Sequence, residues 1–149
     1  MHSPHILILE ARFYRELSDS LAAGAIGALT QAGASYERME VPGCFELPAA
    51  LKIAATGHQP RPFDGYLALG VVIRGETSHY DYVCDVAASG LNAVALEHRL
   101  ALGFGVLTCE TGEQAWARAD PNRKNKGAEA ARAVLRMIDI RRQFQVTGA

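Results

Sequence analysis

The sequence contains few cysteines, little net charge and no long apolar run. Its three cysteines, Cys44, Cys84 and Cys109, are odd in number and widely spaced, which favours free thiols in a reducing compartment over a disulfide framework. The formal net charge of −1 excludes a general electrostatic attraction to nucleic acid or to an anionic membrane. No apolar run approaches the ~18 residues of a membrane span, and residues 1–9 lack the regions of a signal peptide. We therefore expect a cytoplasmic protein that binds neither nucleic acid nor membrane.

Metal-ligand spacing and internal repeats are also missing from the sequence. The five histidines are scattered, so no metal site is expected. No linker or low-complexity segment divides the chain, and its 149 residues, 49% of them apolar and 21% charged, are typical of one globular domain. We predict a single domain over residues 1–149.

Apolar segments typical of buried strands alternate along the chain with segments of helical period. Strands are predicted over 5–9, 35–41, 66–72 and 103–109, helices over 15–32, 45–56, 79–99, 112–119 and 127–144, a loop over 10–14, and a loose tail over 146–149. The charged residues of 35–41 indicate an edge strand. Uninterrupted alternation predicts a parallel sheet with helices on both faces. The expected fold class is α/β: a flavodoxin-like three-layer α/β/α sandwich with a four-stranded parallel sheet.

The most informative stretch is 70–79, which continues the apolar run of the third strand. The run breaks at 75–77 and a helix follows, a pattern typical of a strand, a loop and a helix N-terminus. Unpaired N–H groups and a partial positive charge make such a terminus an anion site. Thr77 or Ser78 can cap the helix. His79 lies at the rim, and an unperturbed imidazole, with a pKa of ~6.5, suits proton transfer.

The same stretch invites comparison with a nucleotide-binding loop. Gly70, Gly75 and Thr77 match the Walker A frame, but Glu76 stands where the phosphate-binding lysine must be. A glutamate reverses the charge that binds the β- and γ-phosphates. We therefore exclude an ATP or GTP site and predict a site for a small, singly phosphorylated ligand.

Other unusual residues follow the ends of the remaining predicted strands. Phe13 comes after the first strand, 42–46 after the second and 108–111 after the fourth. Parallel sheets bind ligands outside the carboxyl ends of their strands. The sequence therefore predicts a ligand site at this edge of the sheet.

Each of these residues also has an ordinary structural explanation. A lone histidine such as His79 is more often a cap or surface residue than a catalyst, and Phe13 alone would more often be a core or lid aromatic. Glu46 can complement a helix dipole, and Lys126 with Glu129 can form an i,i+3 surface pair. The residues taken singly do not decide between these explanations and a functional site.

Taken together and in order, the motifs resemble the lumazine synthase family over nearly the whole chain. They are Ala11-Arg12-Phe13, Val41 to Pro48, Gly70 to Val83, Phe104 to Thr108, Glu113-Gln114-Ala115 with Arg118, and Asn125-Lys126-Gly127. The resemblance implies a transferase that joins 5-amino-6-(D-ribitylamino)uracil to 3,4-dihydroxy-2-butanone 4-phosphate and forms 6,7-dimethyl-8-ribityllumazine, phosphate and water. This is the penultimate step of riboflavin biosynthesis, and the family uses no metal or redox cofactor.

The resemblance also implies a role for each motif residue. His79 moves the proton, and Phe13 stacks on the pyrimidine. The ribitylaminouracil pocket is completed by Cys44, Phe45, Glu46, Val71, Val72, Ile73, Phe104 and Lys126. Butanone phosphate is bound by Glu76, Thr77 and Arg118. In the family, Phe104, Arg118 and Lys126 complete the site of an adjacent subunit.

The resemblance therefore implies a homo-oligomer with active sites between subunits, and riboflavin synthase as a further partner. Shell-forming members usually carry an N-terminal segment that adds a strand to a neighbour's sheet, and only residues 1–4 precede the first strand here. The turn at 120–123 also lacks the glycines of shell-forming members. We expect a homopentamer of about 80 kDa, five copies of the 16.0 kDa chain.

Two other classes of function share this architecture. One is a flavodoxin-like binding or signalling module that holds a phosphorylated ligand without turnover. A receiver domain needs an acidic cluster after its first strand, however, and Glu10 stands alone there. The other is a lumazine-like scaffold that has lost catalysis, against which the presence of His79, Arg118 and Lys126 argues. Formation of a fluorescent lumazine from the two substrates would distinguish an enzyme from a binding module and from an inactive scaffold.

Overall fold

The computed structural model describes residues 2–144 and 146. The strands are β1 (His5–Ala11), β2 (Ser35–Val41), β3 (Gly65–Ile73) and β4 (Leu102–Cys109). The helices are α1 (Arg15–Gln31), α2 (Leu47–Thr56), α3 (His79–His98), α4 (Gly112–Ala119) and α5 (Lys126–Gln143), and a 3-10 turn at Cys44–Glu46 precedes α2. The tail predicted over 146–149 lies, apart from Val146, outside the described residues.

The four strands form one all-parallel sheet in the order β2-β1-β3-β4. From β1 the chain moves outward to β2, and then returns to the other side of β1 to add β3 and β4. The direction of winding therefore reverses between β1 and β3, and such a switch point opens a crevice at the carboxyl ends of the two strands. The predicted four-stranded parallel sheet is confirmed.

Two apolar cores fill the space between the sheet and its helices. One core joins Ile6 and Ile8 of β1 to α1, α4 and α5, and the other joins Leu7 and Leu9 to α2 and α3. Alternate residues of one strand thus point into opposite layers, as the two-residue period of a strand requires. The three-layer α/β/α arrangement is confirmed. None of the helices in the described part of the chain combines the length and the hydropathy that a membrane span requires.

The end of β1 differs from the prediction. Glu10 and Ala11 were expected in a loop, but both continue the strand, where they pair in register with Glu40 and Val41 of β2. Glu10 is buried, and its charge is paired: Arg38 donates to both carboxylate oxygens, from Nε at 2.6 Å and from Nη2 at 2.9 Å, and Arg12 donates from Nη1 at 3.0 Å. A buried charge that is paired in this way is compatible with a central strand.

The predicted helix over 45–56 also begins differently. Cys44 to Glu46 form a 3-10 turn, and the α-helix starts at Leu47 with Pro48 in its first turn. Proline is tolerated there because the first N–H groups of a helix have no partner inside it.

The prediction for β2 is confirmed: it is an edge strand, and five of its seven residues are exposed.

The last helix is held close to the first by a glycine. A Cβ on Gly127 would lie 2.1 Å from the carbonyl oxygen of Leu21, so any side chain would push α5 away from α1. The Asn125 side chain caps α5 by accepting a hydrogen bond from the N–H of Ala128 at 3.4 Å. Lys126, between the cap and the glycine, therefore has a defined place.

Candidate active site

A cleft of about 480 Å³ opens at the switch point between β1 and β3. We call it the first cleft. It is lined by Phe13, Tyr14, Gly43, Cys44, Phe45, Glu46, Val71, Val72, Ile73, Gly75, Thr77, His79, Tyr80 and Val83. These residues come from the loop after β1, the turn after β2, the end of β3 and the start of α3. The carboxyl ends of three strands thus meet at one site, whereas residues 108–111, which follow the fourth predicted strand and were also expected there, do not line this cleft.

The floor of the first cleft is the last part of β3. The described ladder between β1 and β3 ends at the pair Glu10 and Leu69, whereas β3 remains paired with β4 as far as Ile73. Residues 71–73 therefore have a strand on one side only, and their backbone edge toward β1 faces the cleft. Open backbone groups of this kind can bind the donor and acceptor edge of a planar heterocycle.

Two aromatic rings flank this floor. Phe13 is 74% exposed and Phe45 is 58% exposed, although both belong to the cleft. The Phe13 ring lies nearly perpendicular to the Tyr14 ring at a centroid distance of 5.0 Å, and its exposure leaves ring surface available to a ligand. Large exposed aromatic surface in a concave site is suited to stacking on a planar ligand.

The start of α3 forms the polar end of the first cleft. His79 is the first helical residue, and the Thr77 hydroxyl accepts a hydrogen bond from its backbone N–H at 3.4 Å. Of the two hydroxyls predicted to cap, Ser78 occupies the N-cap position but makes no side-chain capping bond. The His79 side chain is exposed and lines the cleft, in a position to exchange protons with a bound molecule.

Cys44 lies in the cleft wall against the backbone of β3. A Cβ on Gly70 would lie only 2.5 Å from the Cys44 Sγ atom, so the thiol occupies space that the glycine leaves open. Burial raises the pKa of Cys44 from 9.0 to about 12. The thiol therefore stays neutral near pH 7, and it shapes the pocket without acting as a nucleophile.

Glu46 is the acidic group of the same wall. It ends the 3-10 turn and stands just before α2, half-buried. No residue that the structure describes forms a hydrogen bond or ion pair with its carboxylate. Its oxygens are therefore available to accept hydrogen bonds from ligand hydroxyl groups.

A second cleft of about 300 Å³ lies on the outer side of β4, against α4 and α5. It is lined by Phe104, Gly105, Val106, Leu107, Thr108, Arg118, Lys126, Glu129, Ala130 and Ala133. Arg118 donates from Nη1 to the carbonyl oxygen of Gln114 at 3.1 Å, and the Lys126 Nζ lies 3.0 Å from a Glu129 oxygen. Two cations are therefore placed beside an exposed aromatic ring, Phe104.

The structure divides the predicted site residues between the two clefts. Nine of them, with His79 among these, line the first cleft, and Phe104, Arg118 and Lys126 line the second. The clefts share no residue, and Glu76 is exposed on the loop outside both linings. Sequence reasoning missed Tyr80 and Val83 as lining residues. Their signal was helical spacing, since Val83 comes four residues after His79 and three after Tyr80 and so shares a face of α3 with each of them.

This combination defines a class: a parallel α/β protein with a cleft of the size of a heterocycle at its topological switch point and a second, cationic cleft beyond the sheet edge. The family model for 6,7-dimethyl-8-ribityllumazine synthase matches residues 3–142. The chain belongs to the 6,7-dimethyl-8-ribityllumazine synthase family.

Curated relatives agree over nearly the full length of both chains. A 6,7-dimethyl-8-ribityllumazine synthase of Sphingopyxis alaskensis is 50% identical over 142 residues, which cover 95% of this chain and 98% of the relative. The proteins of that name from Bartonella bacilliformis and Agrobacterium fabrum are 48% and 46% identical, and cover 95% and 97% of this chain. The resemblance found in the motifs is confirmed.

Proposed function

We propose that this chain is a lumazine synthase of riboflavin biosynthesis. It condenses 5-amino-6-(D-ribitylamino)uracil with 3,4-dihydroxy-2-butanone 4-phosphate to give 6,7-dimethyl-8-ribityllumazine, phosphate and water. The observation that carries the proposal is the family match over residues 3–142, with nine of the motif residues around one cleft.

The first cleft is the site for the ribitylaminouracil in this proposal. Phe13 stacks on the pyrimidine ring, and the open backbone edge of 71–73 binds its polar edge. Glu46 accepts hydrogen bonds from the ribityl hydroxyls, while Cys44 and Phe45 close the pocket. The exposed faces of the two phenylalanines support these roles, because a stacked ligand would cover apolar surface that water otherwise contacts.

The start of α3 is the site for the butanone phosphate. Thr77 and the first N–H groups of the helix bind the phosphate, and Glu76 lies on the same loop. The amine of one substrate condenses with the ketone of the other, phosphate leaves, and the ring closes with loss of water. His79 moves protons in these steps. Much of the acceleration comes from holding the two substrates in register.

Arg118, Lys126 and Phe104 complete the site of an adjacent subunit. Support comes from their place in a separate cleft on the far side of β4, which shares no residue with the first. An Arg–phosphate pair can be bidentate and stabilises phosphate as a leaving group. We propose a homopentamer in the cytoplasm, with riboflavin synthase as a further partner. A cyclic ring of identical contacts gives every subunit both halves of the site.

Mixing the purified protein with both substrates tests the activity. The expected result is the absorbance and fluorescence of a lumazine, formed faster than in a mixture without protein and accompanied by release of phosphate. Omitting either substrate is the control. A protein that binds both substrates but leaves the uncatalysed rate unchanged would be a binding module or an inactive scaffold, and the proposal would then be wrong.

A further inference from the structure

The side chain of Arg74 joins three elements around the loop 75–78. Arg74 directly follows β3, and its backbone N–H donates to the carbonyl oxygen of Cys109 at 2.9 Å. Its Nε donates to the Glu110 carboxylate at 2.7 Å, beyond the end of β4. Its Nη2 donates to Asp81 of α3 at 3.2 Å.

The guanidinium is also fixed by an aromatic face. Its Cζ atom lies 4.3 Å from the centroid of the Tyr80 ring, a cation–π distance. Glu110 is held in turn, because its backbone N–H donates to the Gln114 side chain at 2.8 Å. The start of α3 is thereby connected through one side chain to the β4–α4 junction.

The contacts of Arg74 hold both ends of the loop 75–78. Residues 75–78 are exposed, and within residues 2–144 and 146 the Thr77 hydroxyl makes only the local contact with the N–H of His79. Arg74 precedes the loop and Asp81 follows it, so their ion pair fixes the separation of the strand end and the helix start. His79 and Tyr80, both lining the first cleft, lie between the two partners.

We propose that Arg74 is a positioning residue that holds the loop 75–78 and His79 in the reactive arrangement, and that it does not bind the substrate phosphate. The inference rests on the proposed function, since it assigns a role in the same site. Its charge is already shared by two carboxylates, and their hydrogen bonds, that of Asp81 above all, raise the pKa of the guanidinium. A phosphate approaching Arg74 would have to displace Glu110 and Asp81, both of which repel it.

Positioning and overall stability can be separated here. The Arg74 side chain is 38% exposed, and ion pairs at such sites add little to the stability of the fold. A displacement of about 1 Å in a catalytic group, by contrast, can cost about 100-fold in rate. Loss of Arg74 should therefore lower kcat while the melting temperature changes little.

The experiment compares Arg74→Gln, Glu110→Gln and the double variant by steady-state kinetics with each substrate varied. Arg74→Gln should lower kcat about tenfold, with both KM values within about twofold of the unmodified protein. Glu110→Gln should lower kcat as well. The double variant should be no slower than Arg74→Gln, because both changes remove the same link. Lys52→Gln, which removes the exposed ion pair to Glu97 between α2 and α3, is the matched control and should leave kcat unchanged.

A phosphate-binding Arg74 would give a different pattern. Arg74→Gln would then raise KM for the phosphorylated substrate tenfold or more, and Glu110→Gln would lower that KM by freeing the guanidinium. Either result would overturn the proposal, as would an unchanged kcat in Arg74→Gln. Hydrogen exchange at the amides of 77–80 supplies a readout without turnover and should be faster in Arg74→Gln than in Lys52→Gln. If the unmodified protein formed no lumazine, the proposed function would fail, while the exchange rates would still decide whether Arg74 holds the loop.

Discussion

At the scale of residues, the first cleft combines exposed rings with very few charges. Phe13 and Phe45 supply apolar faces, Glu46 supplies one carboxylate, and Cys44 is a neutral thiol. The cations lie elsewhere, in the second cleft. Changes to single side chains should therefore affect one substrate or one step at a time.

Replacing His79 by alanine should slow turnover and leave folding and binding nearly unchanged. The side chain is exposed at the start of α3, so it contributes little to packing. General acid–base catalysis is typically worth ~10²-fold or more, and because amine and ketone also react unaided we expect a loss near the lower end. Full turnover in the variant across about pH 6 to 8 would leave His79 with a structural role only.

Replacing Arg118 by alanine should weaken the binding of the phosphorylated substrate and leave the binding of the ribitylaminouracil unchanged. Loss of a charge-assisted contact costs about 1.5–3 kcal/mol, or roughly 10- to 150-fold in affinity. The matched control is Arg132→Ala, which removes an exposed arginine of α5 outside both clefts. The measurement is KM for each substrate. If affinity for the ribitylaminouracil were lost instead, the assignment of Arg118 to phosphate would be wrong.

Cys44 should make stability depend on pH in alkaline solution. Its folded pKa of about 12 lies above its ordinary value of 9.0, so the unfolded chain loses the thiol proton first. The folded state is thus stabilised fully below about pH 9 by the neutral thiol, and this contribution is lost as pH rises through 12. When the pH is raised from about 7 to about 10, the free energy of unfolding of the unmodified protein should fall by about 1.4 kcal/mol more than that of Cys44→Ala. Denaturant unfolding at the two pH values measures this, and equal losses would contradict a raised pKa.

At the scale of elements, the predicted order of strands and helices is confirmed, because buried strands and amphipathic helices differ in their local pattern. The extension of β1 through Glu10 could not be predicted from the same pattern. A glutamate is normally a loop or surface residue, and here its buried carboxylate is paired with Arg38 of the neighbouring strand as well as with Arg12. Contacts between residues distant in sequence decide such cases.

The candidate site, too, could be predicted only in part, because it depends on contacts between residues distant in sequence. Residues at the carboxyl ends of β1, β2 and β3 could be placed together, because all parallel strands end at one edge of a sheet. The residues themselves do not show that Phe104 and Arg118 lie in a second cleft. That separation depends on the strand order and on the face against which α4 and α5 pack.

The contact between α1 and α5 should be sensitive to one methyl group. Gly127→Ala would place Cβ 2.1 Å from the backbone oxygen of Leu21 and force the helices apart. We expect a destabilisation of about 1–3 kcal/mol, despite the higher helix propensity of alanine. Gly27→Ala is the control, since no atom in the described part of the chain lies within 4 Å of its added Cβ, and this change should stabilise the fold by about 1 kcal/mol. Equal effects of both changes on denaturant unfolding would contradict the close helix contact.

At the scale of the whole molecule, the two separate clefts predict that inactive subunits can complement each other. His79→Ala keeps an intact second cleft, and Arg118→Ala keeps an intact first cleft. In rings refolded from an equal mixture, about a quarter of the sites should combine both intact halves. Activity should therefore rise well above the mean of the two separate variants. If the activity of the mixture did not rise, His79 and Arg118 would act in the site of the same chain.

Sedimentation velocity tests the assembly itself. A pentamer of the 16.0 kDa chain should sediment as a species of about 80 kDa. A megadalton species at neutral pH would contradict the pentamer without affecting the enzyme assignment, whereas a fully active monomer would remove the shared site. That residues 1–149 form one domain stays a prediction.

The strand order also determines which strand edges and apolar surfaces stay exposed while the chain is being synthesised on the ribosome. β1 pairs on one side with β2 and on the other with β3, so its second edge stays open until residues 65–73 have been synthesised. In the core on this face of the sheet, α1 packs on the strands, on α4 and on α5, the last of the described helices. Until residues 126–143 have been made, a growing chain therefore leaves uncovered the part of α1 that packs on α5, a state prone to aggregation. Chains that stop before Lys126 should consequently depend on chaperones for their solubility far more than the finished protein does.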